Sequence, residues 1–369
     1  MAAEGERMKQ IGLVGLGASG KTTLFDALTG AHERVGTYTG LSGPAHVASV
    51  LLADERLDFL TAMFKPKKVT PVQLEFVDTP GLAVGAHESK EGNARLLGTL
   101  REVNALVLVV RAFASQTVAH PLTTVDAARD VAEIETELVL ADLEVAERRA
   151  DKVRKSLVKQ GVDKKALETE LAVLDRCLAA FNAGHGADTV ELTDAERKMV
   201  SSFAFLTRLP RVIVVNLDEE QLKPDSSWRR ELVARKSVVG IDAEYEMEVL
   251  ELDPAERKAF LADAGITEPA LSRLVRTCFQ RLDLITFYTG EGGTETRAWE
   301  IKRGMTVLEA AGQIHSDIAR GFIRAEVAAF DDIHAAGSMK EVRAQGKLHL
   351  EGKEYVVQDG DVIYIRFAV

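Results

Sequence analysis

The stretch that most limits what this chain can become is GLGASGKT, Gly15 to Thr22. An apolar run, Ile11 to Val14, leads into it, and a helical pattern with Leu24, Phe25 and Leu28 on one side leads out. The stretch fits G-x-x-x-x-G-K-[ST], and a preceding strand and following helix are the context in which that spacing has a mechanism. Gly15 and Gly20 let the backbone curl until its N–H groups point inward, and the helix N-terminus adds a favourable dipole. Such a loop is shaped to hold phosphate. Gly17, Ala18, Ser19 and Thr23 complete its contact set, Lys21 neutralises the outer phosphates, and the Thr22 hydroxyl is placed to ligate Mg²⁺.

Three further apolar runs, VQLEFVD at 72–78, ALVLVVRAF at 105–113 and RVIVVN at 211–216, have the unbroken character of strands covered on both faces. They point to an α/β fold with a parallel sheet. DTPG, Asp78 to Gly81, falls at the end of the first of these runs. There the carboxylate of Asp78 reaches a magnesium shell and the N–H of Gly81 meets the terminal phosphate, which makes Gly81 and Lys21 the catalytic candidates of this site.

The run at 211–216 continues as VIVVNLDE, residues 212–219. A guanine reader of the form Asn-Lys-x-Asp uses the aspartate to accept from N1–H and the exocyclic amine, and lays the lysine stem over the base. Asn216 is kept here, but Leu217 removes the charged stem and Glu219 sets the carboxylate a methylene too far out. Adenine offers a bare acceptor at N1 and no amine at C2, so ATP is the expected nucleotide, with Asn216, Leu217 and Glu219 as the base segment. The alternatives are GTP, favoured by the generic form of DTPG, and a nucleotide-sensing binding protein with little turnover.

Between the strands at 105 and 211 the period changes. Val131, Ile134, Leu138, Ala141 and Val145 recur at helical spacing, as do Leu167, Leu171, Leu174, Leu178 and Phe181, and KQGVDKK joins them tightly. This predicts an antiparallel helical hairpin inserted into the α/β domain, followed by a helix at the capping box Thr193–Glu196. From about residue 283 the texture becomes that of a small β-rich domain. AWEIKRG reads as a strand, TVLEAAGQIHSDIARG as a helix with Thr306 and Glu309 as capping box, and YVVQDGDVIYIRFAV as a hairpin about Asp-Gly. His315, beside Ile314 and Ile318, reads as structural, and Trp228, Trp299 and Phe322 as core.

Length and charge bound the rest. At 369 residues two or three domains are expected, and a net charge of −11 excludes a protein that coats nucleic acid through its overall field. A local basic face exists nonetheless: Arg148, Arg149, Lys152, Arg154, Lys155 and Lys159 crowd the end of the first hairpin helix, with no aromatic residue among them. That face suits salt-sensitive contact with an RNA backbone. The two cysteines, Cys177 and Cys278, sit in no metal or disulfide spacing and suit a reducing compartment. No apolar run approaches the roughly 18 residues of a membrane span. The cytoplasm is the expected location.

The chain resembles the Obg-like ATPases, also called the YchF family. The resemblance is strongest in GNARLLGTLREVNALVLVVRAF, ETELVLADLEVAERR, TETRAWEIKRGMTVLEAAGQIHSDIARGFIRAEV and GKLHLEGKEYVVQDGDVIYIRF. It implies a Ras-like P-loop NTPase domain over 1–120 and 206–282, a helical insertion over 121–205 and a C-terminal TGS domain of β-grasp type over 283–369. It also implies slow hydrolysis of ATP, an Asn-x-x-Glu base segment and association with the ribosome, through the basic hairpin and the TGS-like domain. The position of the Ras-like water-orienting glutamine is held by Leu82, and the histidine that family members carry seven residues past VVRxF corresponds to His120, the expected water-positioning residue. The chain departs from the family in its loop, where Gly17, Ala18 and Ser19 replace Pro-Asn-Val, which puts potassium activation in question. It departs again in TGLSGP, which leaves Thr39 as the magnesium-sensing hydroxyl, and in DTPG, where Asp-Ile-Ala-Gly is usual.

Overall fold

A computed structural model of the chain describes residues 8–30, 46–83, 89–218, 221, 226–232, 234–235, 237–263, 266, 268–290 and 294–368. Its strands are β1 (Lys9–Val14), β2 (His46–Leu51), β3 (Lys68–Thr70), β4 (Gln73–Asp78), β5 (Ala105–Arg111), β6 (Arg211–Asn216), β7 (Val238–Ile241), β8 (Leu284–Thr289), β9 (Glu295–Lys302), β10 (Phe322–Ala329), β11 (His349–Glu351) and β12 (Asp361–Phe367). They form two sheets, in the orders β2-β4-β1-β5-β6-β7 and β11-β10-β12-β8-β9-β3. The chain packs as two units, one of residues 10–48 and 76–271, the other of residues 1–9, 49–75 and 272–369.

The first sheet is parallel from β1 through β5 and β6 to β7. Every residue of β5 is buried, which is why its sequence shows no alternation. The phosphate loop leaves β1 and opens α1 (Lys21–Gly30). α2 (Glu55–Phe64) lies in the other unit, and α3 (Ser89–Leu100) precedes β5.

The hairpin consists of α4 (Ala127–Leu157) and α5 (Lys164–Asn182), each started by an aspartate N-cap, Asp126 and Asp163. Ala146, Ala150, Val153, Val173, Leu174 and Cys177 form its own core, closed by Phe181 and Phe205. The capping box at Thr193 and Glu196 is formed and starts the helix Asp194–Ser201. Asp142, in the middle of α4 and fully buried, fastens the hairpin to its base. It accepts from Arg101 Nη1 at 2.8 Å, the backbone N–H of Leu206 at 3.0 Å and of Thr207 at 2.8 Å, and the Thr207 hydroxyl at 2.8 Å.

In the second sheet the strands close around the helix Val307–Ile314, whose Val307, Ala310 and Ala311 pack on Ile285, Trp299, Val327 and Ile363. The expected hairpin about Asp359-Gly360 is not formed. β12 instead pairs antiparallel with β10 and parallel with β8. The segment before the turn is taken up elsewhere: Val307 N–H donates to Tyr355 O at 2.7 Å and Val357 N–H to Met305 O at 3.0 Å. His315 is not inside a helix but caps the short turn Ser316–Arg320, its Nδ1 accepting from Asp317 N–H at 3.1 Å. Trp228, Trp299 and Phe322 are core residues, as expected, and both cysteines are buried free thiols.

Candidate functional site

At the mouth of the first sheet the phosphate loop is drawn tight from both sides. Leu82 N–H donates to Gly15 O at 2.9 Å, so the turn that follows β4 is zipped to the loop. A Cβ on Gly81 would stand 3.0 Å from both Cα and N of Gly17, an approach that only glycine permits. Gly20 takes φ +84°, and a Cβ there would lie 2.0 Å from Asn216 Nδ2. Ala18 is also left-handed, at φ 59°, on the exposed tip.

Lys21 is buried, and its ammonium donates to Leu16 O at 3.2 Å. Burial holds its pKa below the ordinary amine value, opposed by the charge of Asp78. Asp78 is buried as well, and its carboxyl is held above the usual range by burial, against the hydrogen bond from Thr22 and the charge of Lys21. Thr22 Oγ1 donates to Asp78 Oδ2 at 3.1 Å, which joins two residues 56 apart in sequence. Asp78 Oδ1 is buried without a hydrogen-bond partner, as is Ser19 Oγ. A hydroxyl and a carboxylate with an unused oxygen form a hard-oxygen donor set that fits Mg²⁺. Thr39, the other expected magnesium ligand, lies outside the described residues, and so does Glu219.

Asn216 is a strut. Its Nδ2 donates to Ser19 O at 3.2 Å and its Oδ1 accepts from Ala243 N–H at 3.3 Å, tying the phosphate loop to the segment beyond β7. Leu217, expected at the base, is 3% exposed and packs in the core with Trp228 and Leu232. The backbone beside it carries the loop that follows β5. Ala112 N–H donates to Asn216 O at 2.8 Å and Ala114 N–H to Asp218 Oδ2 at 3.3 Å.

His120, the expected water-positioning residue, is held by its own chain. Its Nδ1 accepts from Leu122 N–H at 3.1 Å, so Nε2 carries the proton and donates to Asp130 Oδ2 at 2.8 Å. Both ring nitrogens are thus committed, and the side chain is 3% exposed. Asp130 is further held by Arg129 at 2.8 Å. Leu82, at 2% exposure, belongs to the core with Val14, Leu16 and Leu96.

Three site-side residues escaped the sequence reading. Arg111, 1% exposed, donates Nε to Phe113 O at 3.0 Å and Nη1 to Val118 O at 3.1 Å, and lies 4.4 Å from the Phe113 ring centre. Phe113 thereby stands beside Gly20. A lone arginine in an otherwise apolar strand was the available signal. Asn93 pairs with the main chain of Ala83, accepting at 3.0 Å and donating at 2.8 Å, and reaches Glu137 of α4 at 3.4 Å.

Half of the basic face of α4 is occupied by ion pairs: Arg149 with Glu170, Arg154 with Asp175 at 2.9 Å, and Arg148 with Glu144 at 3.6 Å. Lys152, Lys155 and Lys159 are exposed and form no ion pair among the described residues. Lys152 shares a shallow groove of about 460 Å³ with Arg148, Arg149, Ser202 and Phe203. The fold thus supplies the aromatic neighbour that the linear sequence lacked, with Arg149 lying 6.0 Å from the Phe203 ring centre. Among the described residues no helix is long and apolar enough to cross a membrane, and no cluster of three metal-ligating side chains occurs.

Residues 10–142 match the family model described as 50S ribosome-binding GTPase, and residues 284–368 match the YchF-GTPase C-terminal model, whose description is a protein of unknown function. The chain is 39% identical over 365 residues to the Ribosome-binding ATPase YchF of Bacillus subtilis, which covers 97% of this chain and 99% of that protein. It is 37% identical over 362 residues to the protein of the same name from Haemophilus influenzae, with the same shares covered. It matches the structure of the Schizosaccharomyces pombe YchF GTPase with a TM-score of 0.85 and 25% identity, over 99% of each chain. Identity at this level along nearly the whole length, on a shared fold, makes the chain a member of the YchF family.

Proposed function

We propose that the chain is a nucleotide-dependent switch that binds ATP with Mg²⁺, hydrolyses it slowly and associates with the ribosome in the cytoplasm. The observation that carries this is the contact of Thr22 with Asp78 beside the buried ammonium of Lys21, with one carboxylate oxygen left unused. Lys21 would neutralise the outer phosphates, and the Gly81 amide would sense the last of them. Thr22, Asp78 and Thr39 would hold magnesium, whose charge stabilises the transferring phosphoryl when it is bound. The base segment favours adenine for the reason given by Leu217 and Glu219, and the relatives at 37–39% identity carry the name ATPase. Slow turnover agrees with Leu82 in the core and His120 held by Asp130; hydrolysis through His120 requires that ring to leave the carboxylate. Lys152, Lys155 and Lys159 would meet ribosomal RNA phosphates.

Titration calorimetry with ATP and GTP, each with magnesium, on the wild type and on Lys21→Ala tests the reading. ATP is expected to bind more tightly, and the variant to bind neither. Equal affinity for both bases, or undiminished binding by Lys21→Ala, contradicts it. A GTPase is the second reading, favoured by DTPG and by the match of residues 10–142 to a GTPase model.

A further inference from the structure

We propose that the open face of the β11-β10-β12 ribbon is a stacking platform for single-stranded RNA, with Tyr364 as the base plate and Arg324 and Arg366 as backbone contacts. The proposal deepens the ribosome-association reading and rests on it for its biological setting.

Strand register places the residues. Leu350, Glu326 and Tyr364 lie side by side across the three strands, and Arg324 faces Arg366 two residues along. Side chains alternate between faces, so these five share one surface, while Ala325, Val327, Ile363 and Ile365 point the other way into the core around the helix Val307–Ile314. Tyr364 is 49% and Leu350 59% exposed, and the Arg366 side chain 57%. Arg324 is exposed too.

Two features of this face ask for a polyanion. Like charges directly opposed across an antiparallel pair are destabilising, yet Arg324 and Arg366 are so placed. Glu326, largely buried, pairs with Arg366. That carboxylate serves one guanidinium, and among the described residues Arg324 has no ion pair. In a chain of net charge −11 this pair is a local feature and not part of a general basic field. A tyrosine with two arginines to one side of it along the strands presents a π-face for a base and two donors for the neighbouring phosphates. With strands about 4.8 Å apart the platform holds one or two nucleotides. It is far smaller than the roughly 800 Å² per partner of a stable protein interface, and its apolar part is one tyrosine and one leucine.

The test uses the full chain and fluorescein-labelled ten-nucleotide single strands of uridylate and adenylate, titrated by anisotropy at several salt concentrations. Tyr364→Ala is expected to weaken binding roughly tenfold with an unchanged salt slope, and Tyr364→Phe to keep wild-type affinity because stacking needs only the ring. Arg324→Glu is expected to weaken binding and to lower the salt slope by about one phosphate contact or more. All three substitutions are at exposed positions, and melting curves matching the wild type show that the loss is one of contact. Equal RNA affinity for wild type, Tyr364→Ala and Arg324→Glu overturns the proposal, as does binding of poly-glutamate in place of RNA. Ribosome pelleting separates the two claims: a wild type and a Tyr364→Ala variant that pellet equally leave the switch reading intact and remove the platform. RNA strands bound through Tyr364 by a chain that never pellets with ribosomes would support the platform and remove the setting.

Discussion

At the scale of single residues the site is defined by charges kept under strain for a ligand. Burial raises the carboxyl of Asp78 and lowers the ammonium of Lys21. A carboxyl raised above its unfolded value of about 3.9 contributes stability below that value and loses it as pH climbs through the raised one. A lysine lowered from about 10.4 contributes above that value and loses it as pH falls through the lowered one. Near neutrality both penalties are in force. Asp78→Asn removes the burial penalty on Asp78 and with it the charge that offsets the burial of Lys21, so the melting temperature of the nucleotide-free protein is expected to stay within about a few degrees of wild type. The same variant is expected to lose magnesium-dependent nucleotide binding, and calorimetry alongside thermal melts checks both. At Gly20 the outcome is one-sided. An alanine would be strained at φ +84° and would collide with Asn216, so Gly20→Ala is expected to cost more than about 1 kcal/mol and to abolish binding.

At the scale of elements the connections among loop, helix and hairpin decide what moves together. Asn93 grips Ala83 through both main-chain groups and touches α4, so it links the turn after Gly81 to the hairpin. Asn93→Ala is expected to cost about 1–3 kcal/mol. Hydrogen exchange should show faster exchange at the Ala83 amide, with the sheet interior unchanged. Asp142 holds four donors in full burial, and Asp142→Ala leaves them and the Arg101 charge unmet, an expected loss of about 3–5 kcal/mol in urea titration. The hairpin helices, the phosphate loop and both capping boxes were legible in the sequence because each depends on neighbours three or four residues away. The Asp359-Gly360 hairpin was misread because its partner choice is settled by β8 and β10, far off in sequence. The partners of His120 were illegible for a like reason. Spacing along the chain gives its position, whereas the burial of Asp130 decides where its nitrogens point. Asn93 and Arg111 carried no periodic signal, and only the folded chain shows what they hold.

At the scale of the whole molecule the division into two units predicts how nucleotide reports itself. A ligand that binds only the folded phosphate-loop unit stabilises that unit by about 2.7 kcal/mol when present at 100 times its Kd. Calorimetric unfolding is expected to show one transition that climbs with ATP and magnesium and one, from the unit with residues 272–369, that does not. With Lys21→Ala neither should move.

The pairing of Lys68–Thr70 with Glu295–Arg297 has a further consequence for synthesis. A chain made from its N-terminus delivers β3 long before β9 exists, so that strand emerges with no edge to join and waits while the entire unit of residues 76–271 is laid down. Maturation is thus ordered in time: the phosphate-loop unit has all of its strands once residue 271 is made, while β3 still waits for β9.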